Sequence, residues 1–381
     1  MTDSRGRARA RTLRVAFPRE REVCDVVVGA GVLSQLTRHL ERMGSPGRAA
    51  IVSSRRVFRL YGVALEAALR RAGYEPARVF LPDGESAKSI ESAMSLCRAF
   101  VSGGLERDST VFVLGGGVLC DVGGFAAATF MRGVRTVLVP TTLLAQVDAA
   151  IGGKTAINLP QGKNLVGVFH QPRLVLCDVA TLATLPARQL RSGIAEVVKV
   201  GAALDSVLFS RLERDAESML SGEPRRLVEI VARAARVKAR IVAADEFDRS
   251  GRRAILNYGH TVGHAIEAAN GYRGVLHGEA VAIGMSAACR LGVALGVTPA
   301  ASSRRQIALL ERFGLPTALP RGLALASIID YIRRDKKARG GEIPFVLTHS
   351  VGSASVTGRV SVRLLSRVLV EMGAGVRRGS R

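Results

Sequence analysis

Three of the chain's six histidines fall in one stretch, NYGHTVGHAIEAANGYRGVLHGE, from Asn257 to Glu279. His260 and His264 are spaced i,i+4, so on a helix they share a face. Thr261 stands where the zinc-hydrolase pattern HExxH carries its glutamate, so that reading is incomplete. His277 follows a turn at Asn270–Gly271 and opens the next helical run. Neutral imidazoles suit Zn(II), and a catalytic zinc takes three protein ligands and keeps one position open. The run GIAEVVK offers an anion, Glu196, on an apolar helix with Lys199 one turn on. A carboxylate there is costly to bury without a metal or a strong partner. Spacing alone leaves a metal centre and a set of satisfied structural histidines both standing.

Two glycine-rich runs carry further chemistry. TVFVLGGGVLCDVGGF passes from a hydrophobic strand through Gly115, Gly116 and Gly117 into a helix pattern. Glycines there let the backbone approach a ligand, and a helix N-terminus favours a pyrophosphate. The match to GxGxxG is partial, because Cys120 replaces the last glycine, and a plain tight turn is the alternative. LPDGESAK places Glu85 and Lys88 where they could hold ribose hydroxyls or phosphate, or simply start a helix. DAAIGGKTAINLPQGKN contains GKT, but Asp148 occupies the first glycine position of a P-loop, so that reading is rejected. What remains is a loop with Asp148, Lys154, Lys163 and Asn164 close in sequence, suited to a phosphorylated, hydroxyl-rich substrate.

The elements that must position these groups change character along the chain. CDVVV, AAIVS, TVFVL, VRTVLV and RLVLC read as strands, with helical patterns at 57–72 and 86–101 between them. Strands alternating with helices predict a parallel sheet covered on both faces. After about Leu185 strands largely vanish and helical periodicity takes over, which predicts a boundary near residue 180. A length of 381 residues fits two domains, each with its own core and a cleft between them. Five scattered cysteines form no CxxC, which fits a reducing cytoplasm rather than a disulfide framework. No apolar run approaches the roughly 20 residues of a membrane-spanning helix. The net charge of +23 is dominated by arginine spread along helices and in the tails, with no nucleic-acid-binding motif, so specific nucleic-acid binding is not expected.

PDGESAK, GGGVLCDVGGFAAATFMRG, VPTTLLAQVDAAIGGKTAINLPQGKNLVG, GIAEVVK, ILNYGHTVGHAIEA, HGEAVAIGM and DKKARGGEIPFVL, in this order, resemble the 3-dehydroquinate synthases, a family of sugar phosphate cyclases. The resemblance implies an α/β fold. A basic tail at 1–14 precedes a Rossmann-like NAD domain at 15–180, then a mostly α-helical metal and substrate domain at 181–373 and a basic tail at 374–381. It implies a homodimer that uses NAD and Zn(II) or Co(II). Glu196, His260 and His277 become the metal ligands, and His264 moves to the substrate pocket. Lys154, Asn164, Asn257 and His264 are expected around a substrate phosphate, with Arg132 (from the partner subunit) and Lys336 or Lys337. Lys238 and Arg253 are expected to hold a carboxylate, while Asp148 and Lys199 engage hydroxyls. Gly115, Gly116, Gly117, Asp121, Thr141, Thr142, Glu85 and Lys88 would line NAD, with Lys163 on its nicotinamide side. The implied reaction takes 3-deoxy-arabino-heptulosonate 7-phosphate to 3-dehydroquinate through transient oxidation, phosphate elimination, reduction and intramolecular aldol closure.

Two departures stand out. IVSSRRVFRLYG puts Ser54, Arg55 and Arg56 where the family often has a turn with Asp and Asn, which predicts weaker discrimination between NAD and NADP. DEFDRSGRR is one residue longer than the usual turn before Arg253. Aminodehydroquinate synthase is the nearest alternative, followed by other secondary-metabolism cyclases. Iron-containing alcohol or glycerol dehydrogenases are more remote, as is a basic binding protein with an inactive site.

Overall fold

The computed structural model describes residues 23–41, 46–335 and 342–375; Lys336, Lys337, residues 1–14 and nearly all of 374–381 lie outside them. Strands β1 (Asp25–Gly29), β2 (Arg48–Ser53), β3 (Glu75–Phe80), β4 (Thr110–Gly115), β5 (Arg135–Pro140) and β8 (Leu174–Asp178) form one six-stranded sheet in the order β1-β8-β5-β4-β2-β3. Every pairing in it is parallel. The sequence of β4, TVFVLG, is buried throughout, as a central strand covered on both faces must be. β2 leads outward to β3, whereas the neighbouring β4 leads the other way to β5, so the connections diverge between their carboxyl ends. Ligands of parallel α/β sheets bind at such a switch point.

The first half carries α1 (Leu36–Leu40), α2 (Arg55–Val57), α3 (Val63–Arg71), α4 (Ile90–Ser102) and α5 (Gly117–Thr129). The second carries α6 (Ala187–Leu204), α7 (Ser206–Arg214), α8 (Ala216–Leu220), α9 (Pro224–Ala244), α10 (His260–Ala269), α11 (His277–Ala294), α12 (Ala300–Arg312), α13 (Leu325–Asp335) and α14 (Val362–Glu371). None of the described helices is long and apolar enough to cross a membrane.

Three strand regions escape a reading by β-branched content. β3 contains Pro76 and two charged residues because it is an edge strand, where a missing donor is tolerated. β6 (Lys154–Leu159) and β7 (Gly162–Phe169) form an isolated antiparallel hairpin rich in Gly, Lys and Asn. β9 (Glu342–Ser350) and β10 (Ser353–Ser361) form a second hairpin in the part expected to be helical. The cores also differ from expectation. One buried cluster runs without a break from Val113 and Leu138 in the sheet to Val197, Val281 and Leu365 in the helices, so the two halves share a core. A smaller cluster lies on the opposite face of the sheet, under α3.

Two glycines bring the functional helices together. A Cβ at Gly278 would fall on the Ser192 carbonyl oxygen, so only glycine lets α11 start against α6. A Cβ at Gly284 would meet the Gly259 carbonyl in the same way, which sets α11 against the start of α10. Asp178 ties the far edge of the sheet. Its carboxylate accepts from the backbone of Gly31 (2.8 Å), Leu33 (2.9 Å) and Ala180 (3.0 Å) while almost fully buried. Asp178→Ala orphans three donors and is expected to lower the unfolding free energy by about 3 kcal/mol, read by urea denaturation.

Candidate active site

Glu196 lies mid-α6 and is fully buried, with His277 Nε2 3.3 Å and His260 Nε2 3.8 Å from its Oε1. The donor atoms of the three side chains all lie within 4.8 Å of one another. Each imidazole is fixed from behind: His260 Nδ1 donates to the Tyr258 carbonyl, and His277 Nδ1 to Glu267 Oε2, both at 3.2 Å. A neutral ring whose Nδ1 donates presents Nε2 as a lone pair, the usual support of a metal-binding histidine. Lys199 Nζ is 2.5 Å from Glu196 Oε2, yet neither buried carboxylate oxygen makes a well-aligned hydrogen bond. A divalent ion would satisfy both oxygens and both lone pairs, so the residues present fit one.

The electrostatics differ between the two rings. Burial, with Lys199 nearby, lowers the His260 pKa to about 3, which keeps its lone pair available. Burial also opposes a charge on His277, but pairing with Glu196 and Glu267 outweighs it and raises the pKa to about 10. An incoming cation therefore competes with a proton between His277 and Glu196. A second grouping, His264, Glu267 and His277, has ligand atoms equally close together. Glu267 is already engaged by His277 Nδ1 and by Lys163 Nζ (3.1 Å), which makes it the weaker candidate. The i,i+4 histidine pair is thus split in role: His260 faces Glu196, while the His264 ring packs edge-on to His260 at 5.1 Å.

Glu267 was not singled out from sequence, although its place three residues after His264 on α10 is a readable signal. Burial alone would raise its pKa, but His277 and Lys163 hold it down to about 2. Glu267→Gln is expected to weaken zinc binding by about 10- to 100-fold in a competitive chelator titration. Because the folded pKa lies below the ordinary value of 4.5, the carboxylate stabilises the fold above about pH 4.5. The stability gap between wild type and variant should therefore narrow as pH falls from there toward 2.

Beside the histidines, Asp148 accepts from Lys238, whose Nζ also donates to the Asp148 carbonyl (2.6 Å), while Lys199 Nζ lies 4.0 Å from its other oxygen. Burial raises the Asp148 pKa, but Lys199 and Lys238 outweigh it and the carboxyl is held low. Lys199, in turn, is disfavoured by burial but held above its ordinary value by Asp148 and Glu196. Two carboxylates and two ammonium groups cancel, so a divalent ion would leave the cluster with two positive charges.

In front of the switch point, α5 begins at Gly117 directly after the Gly115–Gly116 turn, and Thr141 and Thr142 follow β5 alongside. An added Cβ at Gly116 would lie 3.1 Å from Thr142 Cγ2. Lys88 is buried against Asp121, Glu85 Oε1 accepts from Asn158 Nδ2 (2.8 Å), and Lys163 Nζ reaches Glu85 (3.5 Å) and Glu267. Lys163 thus bridges the turn and the histidine cluster.

Two of the residues that the resemblance places around the phosphate lie apart in the hairpin. Lys154 and Asn164 sit toward opposite ends of the β6–β7 hairpin: Lys154 pairs with Phe169, five residues from Asn164, or about 17 Å along a strand. Lys154 and Arg253 each lie 6.0 Å from the centroid of the Phe169 ring. Arg253 is buried, donates to the Glu246 carbonyl (2.9 Å) and keeps an unpartnered Nε–H. Asp248 pairs with Lys154 at 2.6 Å. Asn257 is exposed just before the Gly259 turn into α10. Arg132 lies at the start of β5, opposite the glycine turn, with Met131 and Arg132 both at positive φ.

Residues 78–192 match the family described as 3-dehydroquinate synthase N-terminal, and residues 193–338 match 3-dehydroquinate synthase C-terminal. The chain belongs to the 3-dehydroquinate synthase family. A 3-dehydroquinate synthase of Nostoc punctiforme is 44% identical over 350 residues, covering 91% of this chain and 96% of the relative. One from Symbiobacterium thermophilum is 48% identical over 338 residues, covering 88% and 94%. Among solved structures, 2-epi-5-epi-valiolone synthase from Streptomyces hygroscopicus subsp. jinggangensis, with NAD+ and Zn2+ bound, has a TM-score of 0.85 at 30% identity and covers 94% of this chain and 99% of that one. Glycerol dehydrogenase from Schizosaccharomyces pombe, at 15% identity and a TM-score of 0.64 over 93% of this chain and 91% of that one, shares the fold alone.

Proposed function

We propose that this enzyme converts 3-deoxy-arabino-heptulosonate 7-phosphate to 3-dehydroquinate and phosphate, with NAD regenerated in each cycle and a divalent ion held by Glu196, His260 and His277. The observation that carries this reading is the fully buried Glu196 carboxylate, lacking well-aligned hydrogen bonds and facing two back-supported imidazoles. When bound, NAD would supply a hydride acceptor and then the donor, and the cation would polarise the hydroxyl oxygen on the carbon that is oxidised.

The chain's own residues bind and orient. Lys238, Arg253 and Lys154 form the end that takes the substrate carboxylate; Lys154 joins this group because it and Arg253 approach the same Phe169 ring. Lys199 and Asp148 hold ring hydroxyls beside the ion. Asn164, Asn257 and His264 take the phosphate, with the partner's Arg132 and one of Lys336 or Lys337. Gly115, Gly116 and Gly117 with α5 take the pyrophosphate of NAD; Asp121, Thr141, Thr142, Glu85 and Lys88 line the cofactor, and Lys163 marks its nicotinamide side. The amino analogue of the substrate is the closest rival, and the 44% identity to a 3-dehydroquinate synthase favours the hydroxyl substrate over it.

We place the enzyme in the cytoplasm as a homodimer. The β6–β7 hairpin supports dimerisation, since Leu165, Val166, Val168 and Phe169 leave an apolar strand open to solvent. A dimer that donates Arg132 across its interface makes a specific prediction. Arg132→Ala and His260→Ala are each expected to be inactive. After co-refolding, about a quarter of wild-type activity should return, because half the dimers carry one complete site.

The reaction is tested with purified protein, NAD, zinc and the heptulosonate phosphate. Phosphate release with a carbocyclic product and no accumulating NADH is expected. Stoichiometric NADH without phosphate would instead make the protein a dehydrogenase.

A further inference from the structure

We infer that the cofactor site also accepts NADP, with Arg55 pairing with the 2′-phosphate. The inference rests on the NAD site described above. β2 and β4 are the neighbouring strands whose connections diverge, so a dinucleotide on the β4 glycine turn lays its adenosine across the end of β2. In NAD-selective sites a carboxylate at that strand end takes the ribose hydroxyls and repels a phosphate, whereas arginine accommodates one. Here β2 ends at Ser53 and the next residues are Ser54, Arg55 and Arg56.

Ser54 is buried and spends its hydroxyl on capping the Val57 N–H at 3.3 Å. Arg55 and Arg56 are exposed, and the Arg55 guanidinium lies over the Phe80 ring, 5.2 Å from its centroid. Arg55, Phe80, Leu81, Pro82 and Asp83 line a cavity of about 330 Å³ between the ends of β2 and β3. Among the described residues no carboxylate lies within ion-pair distance of Arg55, so its charge is available to a ligand. Stacking on Phe80 fixes the guanidinium plane and lowers the entropy lost when it binds. Asp83 shares the wall with Arg55 and can take a ribose hydroxyl of NAD, while Arg55, with exposed Arg56 next to it in the chain, supplies the positive charge for a 2′-phosphate.

The test is calorimetric titration of the nucleotide-stripped enzyme with NAD and with NADP, each against wild type and Arg55→Ala. Wild type should bind NADP within about tenfold of NAD, and Arg55→Ala should lose about tenfold or more in NADP affinity while NAD changes less than about threefold. Raised salt should weaken NADP more than NAD. NAD binding without measurable NADP binding would overturn the inference, as would equal loss of both nucleotides in the variant. Binding of neither nucleotide would remove the cofactor site itself and this inference with it.

Discussion

Glu196→Gln is expected to leave a folded enzyme that retains no zinc after dialysis and turns over at least about a thousandfold more slowly. The side chain keeps its shape, so α6 still packs, but the anionic ligand is gone. A Lewis acid supplies several kcal/mol of stabilisation to developing oxygen charge, and about 4 kcal/mol corresponds to three decades of rate. The substitution also removes the nearest anion from buried Lys199, which then relies on Asp148 at 4.0 Å. Metal analysis alongside circular dichroism separates lost metal from lost fold. A variant that kept zinc and activity would show that the ion, or the chemistry, lies elsewhere.

Lys238→Met is expected to lower activity through a different route. Methionine preserves much of the buried volume but removes the ammonium that binds the Asp148 carboxylate and carbonyl. Truncating one member of a buried charge pair costs about 2–5 kcal/mol, so kcat/KM should fall by about 30-fold or more. Zinc content should stay near wild type, because Lys238 touches none of the proposed ligands. A rise in KM larger than the fall in kcat would assign Lys238 to substrate binding, whereas equal falls in kcat and kcat/KM would assign it to the transition state.

Much of this arrangement was legible in the sequence, and the failures share a cause. Glu196, His260 and His277 were nameable as a set through the family resemblance, whereas spacing alone left the role of each histidine open. The i,i+4 rule alone would have paired His260 with His264, since a helical face says nothing about which neighbouring helix it meets. That meeting is set by Gly278 and Gly284, whose missing side chains let α11 approach α6 and α10. The sheet was readable where strands are buried on both faces, as in β4, and unreadable in the exposed β6–β7 hairpin and the edge strand β3. Lys154 and Asn164 looked like companions because they are close in sequence, but hairpin direction carries them apart. Glu267 escaped notice because its importance lies in the contact with His277 on the following helix.

The most direct test of the metal centre is a crystal of the zinc-loaded enzyme, with anomalous data collected on both sides of the zinc absorption edge. One peak is predicted per chain, about 2.0–2.2 Å from a Glu196 oxygen and from Nε2 of both His260 and His277. A peak between His264 and Glu267, or none at these residues, would contradict it.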